Sequence, residues 1–158
     1  MLIAIDPGLR WCGVARFYEG GELQQAELVR SPGTDRGPMA WRRMADHVRS
    51  AIITQTYKAV VEVPRIYPHS AQQKGDLNDL LELAGVVGAL AGVFDVLEFV
   101  YPATWKGQVP KKVMNARVLA TLSLAERSAL IHNDHNTLDA VGIGLFYLGR
   151  LGARKVFR

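Results

Sequence analysis

Three acidic residues stand in surroundings that ordinarily exclude charge. Asp6 follows the apolar run Leu2-Ile3-Ala4-Ile5, Glu62 sits inside Val60-Val61-Glu62-Val63, and Asp139 interrupts an apolar pattern near the C-terminus. An isolated carboxylate is costly to bury unless it is paired or binds a metal. Three of them on core elements therefore suggest one shared site. Oxygen-rich clusters suit Mg²⁺ or Mn²⁺. Two such ions about 4 Å apart can activate a water and stabilise the leaving oxygen in phosphodiester cleavage. Charge balance agrees, because three carboxylates and one scissile phosphate match two divalent cations. Each acid alone has a plainer role. Asp6-Pro7-Gly8 suits a turn, Glu62 suits an ion pair with an arginine, and Asp139 suits the first turn of a helix, where its charge meets the helix dipole. The conjunction of all three favours the shared site.

The elements that must position these acids are legible from periodicity and turn residues. Leu2–Ile5 reads as a buried strand stopped by Asp6-Pro7-Gly8. Residues 11–18 and 23–29 read as two further strands joined by the hairpin turn Glu19-Gly20-Gly21-Glu22. Ser31–Pro38 reads as loop. Apolar residues at helical spacing (Trp41, Met44, Ala45, Val48, Ile52) predict a helix over 39–53. Residues 59–63 are a buried strand stopped by Pro64, and 65–76 a polar loop. Residues 77–91 are a helix whose Gly85 and Gly88 allow close packing, against either the sheet or a second copy of the chain. Residues 96–101 are a fifth strand stopped by Pro102. Lys106–Lys112 is a basic loop, 113–122 a helix, and Ser123-Leu124-Ala125-Glu126 has capping-box spacing. His132–Asn136 is a polar linker, and 138–151 is a largely buried last helix. A three-strand meander followed by two crossover units gives an α/β fold. The expectation is an RNase H-like mixed five-stranded sheet, three strands antiparallel and two parallel, with helices on both faces, in a single domain over residues 1–158.

Bulk properties agree with one well-packed, nucleic-acid-facing domain. Hydrophobic residues make up 49% and charged residues 22% of the 158, which excludes a disordered chain. The formal charge of +4 favours polyanionic partners. Cys12 is the single cysteine, which excludes an intrachain disulfide; it reads as a packing residue of a reducing interior. The longest apolar stretch, 84–94, is too short to span a bilayer, and no signal peptide is expected. The expected compartment is cytoplasmic, in a prokaryotic cell or a phage-infected host.

At the acids the chain resembles a known family. Asp6-Pro7-Gly8-x-Arg10-x-x-Gly13 resembles the opening strand-turn-strand of RuvC-type Holliday junction resolvases, nucleases of the RNase H-like superfamily. Glu62 at the end of a hydrophobic strand is similar to that family's second metal-binding acid. Tyr101-Pro102 before a basic loop resembles the segment after its last strand, and Asp139-Ala140 its closing Asp-Ala motif. The resemblance implies a homodimeric metal-dependent endonuclease that binds four-way DNA junctions and makes paired nicks, with two Mg²⁺ or Mn²⁺ ions per site. It implies Asp6, Glu62 and Asp139 as metal ligands. The family's fourth position falls on Asn136, where the family often has Asp or His. Asn136 offers a carbonyl oxygen without charge, His135 is the rival, and Asp134 suits an N-cap better. His132 reads as a loop residue.

Candidate DNA contacts lie around this core. Lys106, Lys111 and Lys112 cluster beside Trp105, with Arg117 on the following helix and Arg10 in the opening motif; lysines and arginines there can hold phosphates or form a solvated basic face. Residues 64–74 carry Arg65, Tyr67, His69 and Lys74. The family has an aromatic in the matching loop that is thought to stack near the crossover, and Tyr67 can serve. Arg150, Arg154, Lys155 and Arg158 read as a solubilising tail. Three other functions remain open: an RNase H-type nuclease cutting RNA in hybrids, an actin-like ATPase, and a junction-binding protein without chemistry. The ATPase needs two such domains, and no P-loop is present.

Overall fold

A strand buried on both faces sends alternate side chains into two cores, and the first strand shows this at once. In β1 (Leu2–Asp6), Leu2 and Ala4 enter one core while Ile3 and Ile5 enter the other. The structure is a computed structural model and describes residues 1–31, 33, 36–52, 58–65, 76–94 and 97–151. β2 (Trp11–Phe17) and β3 (Leu23–Arg30) extend β1 as an antiparallel meander. After α1 (Pro38–Ala51), β4 (Lys58–Glu62) pairs parallel to β1. After α2 (Leu77–Ala91), β5 (Leu97–Val100) pairs parallel to β4. The sheet order is β3-β2-β1-β4-β5, an RNase H-like mixed five-stranded sheet.

Among the described residues four helices follow β5: α3 (Pro102–Trp105), α4 (Lys111–Thr121), α5 (Leu124–Ser128) and α6 (His135–Tyr147). One face of the sheet packs Ile3, Ile5, Val14 and Val61 against Met44 and Val48 of α1 and Val86 and Leu90 of α2. The other packs Ala4, Ala15, Phe17 and Val60 against Ile143 and Leu145 of α6 and Val118 of α4. Cys12 is buried in the first core as expected; burial pushes its thiol up to about 12, so it stays protonated and inert.

Two glycines let α6 lie this close to the sheet. A Cβ on Gly13 would stand 2.0 Å from the Asn136 carbonyl oxygen, and one on Gly144 would stand 2.1 Å from the Phe17 ring. Along β3, the edge strand, residues after α5 supply a further rung. Ala26 N–H donates to Ala129 O at 3.0 Å, Ile131 N–H donates to Ala26 O at 2.9 Å, and Leu28 N–H donates to His132 Nδ1 at 3.3 Å.

Several sequence expectations shift. The last helix spans His135–Tyr147 rather than 138–151, because Asp134 caps it three residues early and the chain turns at Gly149, φ 73°. His135 and Asn136 are thus helical, not linker. Lys111 and Lys112 open α4 rather than lie in a loop, since Pro110 sets the helix entry. Pro102 does not merely stop the fifth strand; it starts α3. Ser123 and Glu126 form the capping box their spacing predicts. Arg150 is no solubilising tail. Its guanidinium clasps Glu126 at 2.6 and 3.0 Å and the Gly21 carbonyl at 2.6 Å. Arg154, Lys155 and Arg158 lie outside the described residues.

Gly85 and Gly88 of α2 separate in role. A Cβ on Gly85 would strike the Trp41 ring of α1 at 2.4 Å, whereas Gly88 faces open space. Leu77, Leu81, Ala84, Gly88 and Ala91 form an apolar stripe on the outward side of the helix.

Candidate active site

Strand parity decides where the acids go. Asp6 is in step with Leu2 and Ala4, and Glu62 is in step with Val60, so both side chains leave the sheet on the α6 face. β1 and β4 are adjacent and parallel, which places both acids at the same C-terminal edge of the sheet. This is the edge where open α/β sheets commonly bind ligands. α6 then delivers Asp139 from above. Its N-terminus is fixed by Asp134, whose Oδ1 accepts the Asn136 and Thr137 N–H groups at 2.8 and 3.1 Å, while Oδ2 accepts the Thr137 hydroxyl at 2.7 Å. Both Asp134 oxygens are committed to the cap, and these bonds outweigh the effect of burial to hold its carboxyl below the usual range.

A lysine joins the acids. Lys106 Nζ lies 3.3 Å from Glu62 Oε2 and 3.5 Å from Asp139 Oδ2. Trp105 Nε1 donates to the same Glu62 oxygen at 2.5 Å. The ammonium also sits 4.8 Å from the Trp105 ring centre. Lys106 is therefore part of the acidic centre rather than a member of an exposed phosphate-binding loop. The turn α3 makes after β5 carries residues 105 and 106 back over the sheet edge.

The electrostatics follow from this packing. Burial, reinforced by the Glu62 and Asp139 charges, raises the Asp6 carboxyl well above its ordinary range. Burial raises Glu62 as well, against the pull of Lys106 and the Trp105 N–H. Burial works against the Lys106 ammonium, yet the three acids more than offset it, so Lys106 holds its proton more firmly than a free lysine.

Among the described residues no three acidic, histidine or cysteine side chains are arranged to enclose an ion. Two of the acids instead meet at the ammonium. The donor set still fits a hard divalent cation: it is all carboxylate oxygen, strongly negative, and already gathered about a positive charge. Asp6, Glu62 and Asp139 are the residues that would hold such an ion.

The other predicted residues divide by position. Asn136 and His135 lie in the first turn of α6, three and four residues before Asp139, half-buried and exposed respectively. Neither side chain hydrogen-bonds the acids among the described residues. Lys111, Lys112 and Arg117 are exposed on α4, and Lys111 is near enough to lower the Asp6 carboxyl slightly against its other neighbours. Arg10 is exposed in the turn after Asp6, and Arg65 is exposed with its guanidinium 5.9 Å from the Tyr101 ring centre. Tyr67, His69 and Lys74 lie outside the described residues. Sequence reasoning missed the Trp105–Glu62 bond and the inward turn of Lys106. The available signal was Pro102, a helix starter directly after a strand.

No family model and no curated protein matches the chain. Solved structures do. The Thermus thermophilus RuvC in complex with Holliday junction substrate superposes with a TM-score of 0.62 at 16% identity, over 96% of this chain and 95% of that one. A second Thermus thermophilus RuvC structure gives 0.61 at 16% identity, over 94% and 96%. The fold is that of RuvC-type resolvases.

Proposed function

We propose, starting from this RuvC-type fold, that the chain is a metal-dependent endonuclease acting on branched DNA, with the four-way junction as substrate. The observation that supports the reading is that Asp6, Glu62 and Asp139, from three separate elements, lie near enough at one edge of the sheet to act on one another's charge, with Glu62 and Asp139 both held by Lys106. Magnesium or manganese ions, two per site, would supply water activation and charge neutralisation at the scissile phosphate. The chain's own residues set the stage for that. Asp6 and Asp139 present carboxylates from a rigid strand and a capped helix. Trp105 pins one oxygen of Glu62 and so fixes the plane of its carboxylate. Lys111, Lys112 and Arg117 on α4, with Arg10 and Arg65 across the edge, offer positive charge to the backbone of a duplex arm. Asn136 and His135, in the first turn of α6 before Asp139, are the candidates for a further ligand.

Paired nicks in a junction require two copies of the site. The apolar stripe of α2 supports a homodimer, because Leu77 and Leu81 are 55% and 64% exposed and Gly88 permits close approach of a second helix.

The test is cleavage of a labelled synthetic four-way junction, a continuous duplex and an RNA–DNA hybrid, each with and without Mg²⁺ or Mn²⁺. Metal-dependent paired nicking of the junction, abolished in Asp6→Asn while junction binding persists, supports the proposal. Cleavage of the hybrid alone would replace it with the RNase H reading. Junction binding with no cleavage under any metal would leave a binding protein.

A further inference from the structure

Trp11 and Arg30 occupy the same sheet edge as the acids and have no part in the chemistry described above. Trp11 opens β2 and pairs across to Arg30 at the end of β3. Gly13, two residues further along β2, pairs with Asp6. Residues two apart on a strand share a face, so Trp11, Arg30 and Asp6 all project on the α6 side. Trp11 stands one strand over from Asp6 and one step nearer the rim. The first turn of α6 lies between it and the acids, since the Asn136 backbone rests on Gly13.

A large aromatic is normally buried at such a place, but Trp11 belongs to neither core and is 39% exposed. Arg30 is exposed too, and its guanidinium lies 5.0 Å from the Trp11 ring centre. A tryptophan face and an adjacent guanidinium form a platform for a flat ring carrying a nearby negative charge. Indole stacks on any nucleobase, and arginine takes the phosphate of the same nucleotide. A continuous duplex offers no free base face, whereas a strand leaving a branch point does.

We infer that Trp11 and Arg30 form a stacking subsite for an unpaired nucleobase of the branched strand, on the side of the acidic centre opposite Trp105 and Lys106. This rests on the branched-DNA reading above and names the feature of the substrate that the protein recognises. The platform selects unpaired over paired DNA, so its loss erodes discrimination rather than general affinity.

The experiment is metal-free binding, in EDTA, of three labelled probes: a four-way junction, a single-stranded oligonucleotide, and a relaxed covalently closed circular duplex, which has neither ends nor unpaired bases. The expected result for Trp11→Ala is a loss of about 10-fold on the first two probes with the duplex unchanged. Trp11→Phe keeps a ring and should retain most of the selectivity. The emission that distinguishes wild type from Trp11→Phe should be quenched by the junction and the single strand but not by the duplex. Arg30→Ala should lower the salt slope on the junction by about one. Equal losses on all three probes, or no loss on any, would overturn the subsite. A wild-type chain that binds junction no better than duplex would overturn the branched-DNA reading, and the subsite with it. Junction binding that depends on Trp11 without cleavage in metal would remove only the nuclease chemistry.

Discussion

Replacing Lys106 by methionine isolates what the ammonium does in the acidic centre. The substitution keeps the length and apolar stem of the side chain and removes only the charge. Lys106 Nζ stands 3.3 Å from Glu62 and 3.5 Å from Asp139. At an effective dielectric of about 20, each contact is a gross attraction of about 5 kcal/mol. Most of that is offset by the cost of desolvating the lysine and by solvent reaching a side chain that is 27% exposed. A net loss of about 2 kcal/mol is expected for the metal-free protein, a fall in Tm of about 4–8 °C.

The pH dependence fixes the sign. Lys106 is raised above its free value of 10.5, so its stabilisation is complete below that value and is lost as pH rises through the folded value. Asp6 and Glu62 are raised as well. Their ionised forms cost stability at neutral pH, and that cost is relieved as pH falls through their folded values. Without Lys106 the cost grows. The gap between wild type and Lys106→Met should therefore be widest near pH 8 and shrink towards pH 5. Thermal melts in EDTA across that range make the measurement. Adding Mn²⁺ should raise the Tm of the variant more than that of wild type, since no tethered cation then competes for the acids. Equal Tm values at pH 8, or a gap that does not change with pH, would refute the idea that the ammonium neutralises this site.

Three further outcomes are expected. Gly13→Ala must push its methyl group into the Asn136 carbonyl, which a backbone cannot easily concede; a loss of about 3 kcal/mol or more is expected in urea unfolding. The Arg150 guanidinium holds the Glu126 carboxyl down to about 2 from 4.5. The pair's contribution, about 2 kcal/mol, is full above pH 4.5 and is lost as pH falls towards 2. Glu126→Gln should accordingly be less stable than wild type at pH 7, with most but not all of that gap gone at pH 2.5, by circular dichroism. Leu81→Lys places a charge in the centre of the outward α2 stripe; sedimentation should show the proposed dimer giving way to a monomer, with little change in the monomer's melting temperature because Leu81 is 64% exposed.

Much of the fold was legible because hydrophobic period and turn chemistry agreed with each other. Residues 77–91 were bounded correctly from both signals, and the meander followed from the Gly20-Gly21 turn between two apolar runs. That Asp6 and Glu62 could share one edge was also readable, since each ends an apolar strand run; the face they leave by was not, because both strands are apolar on both sides. Other features depended on contacts that no local pattern encodes. The early start of α6 came from the bonds Asp134 makes two and three residues ahead. The inward position of Lys106 arose because α3 redirects the chain by one turn, and a basic residue just past the end of a short helix reads locally as solvated. Arg150 looked like a tail because its partner, Glu126, is 24 residues away in the chain. Gly13 was legible as a motif glycine, but its reason, the Asn136 backbone resting on it, was visible only in three dimensions.

The rung that residues 129–132 lay along β3 has a consequence for how the molecule tolerates company. An uncovered outer strand invites pairing with any extended chain nearby. Here Ala129, Ile131 and the His132 ring already take up the Ala26 and Leu28 positions that such an intruder would use. Growth of the sheet from that rim requires the clasp to peel off first. Any loosening of the segment between α5 and α6 should therefore raise the tendency to aggregate through the β3 rim before it lowers the melting temperature.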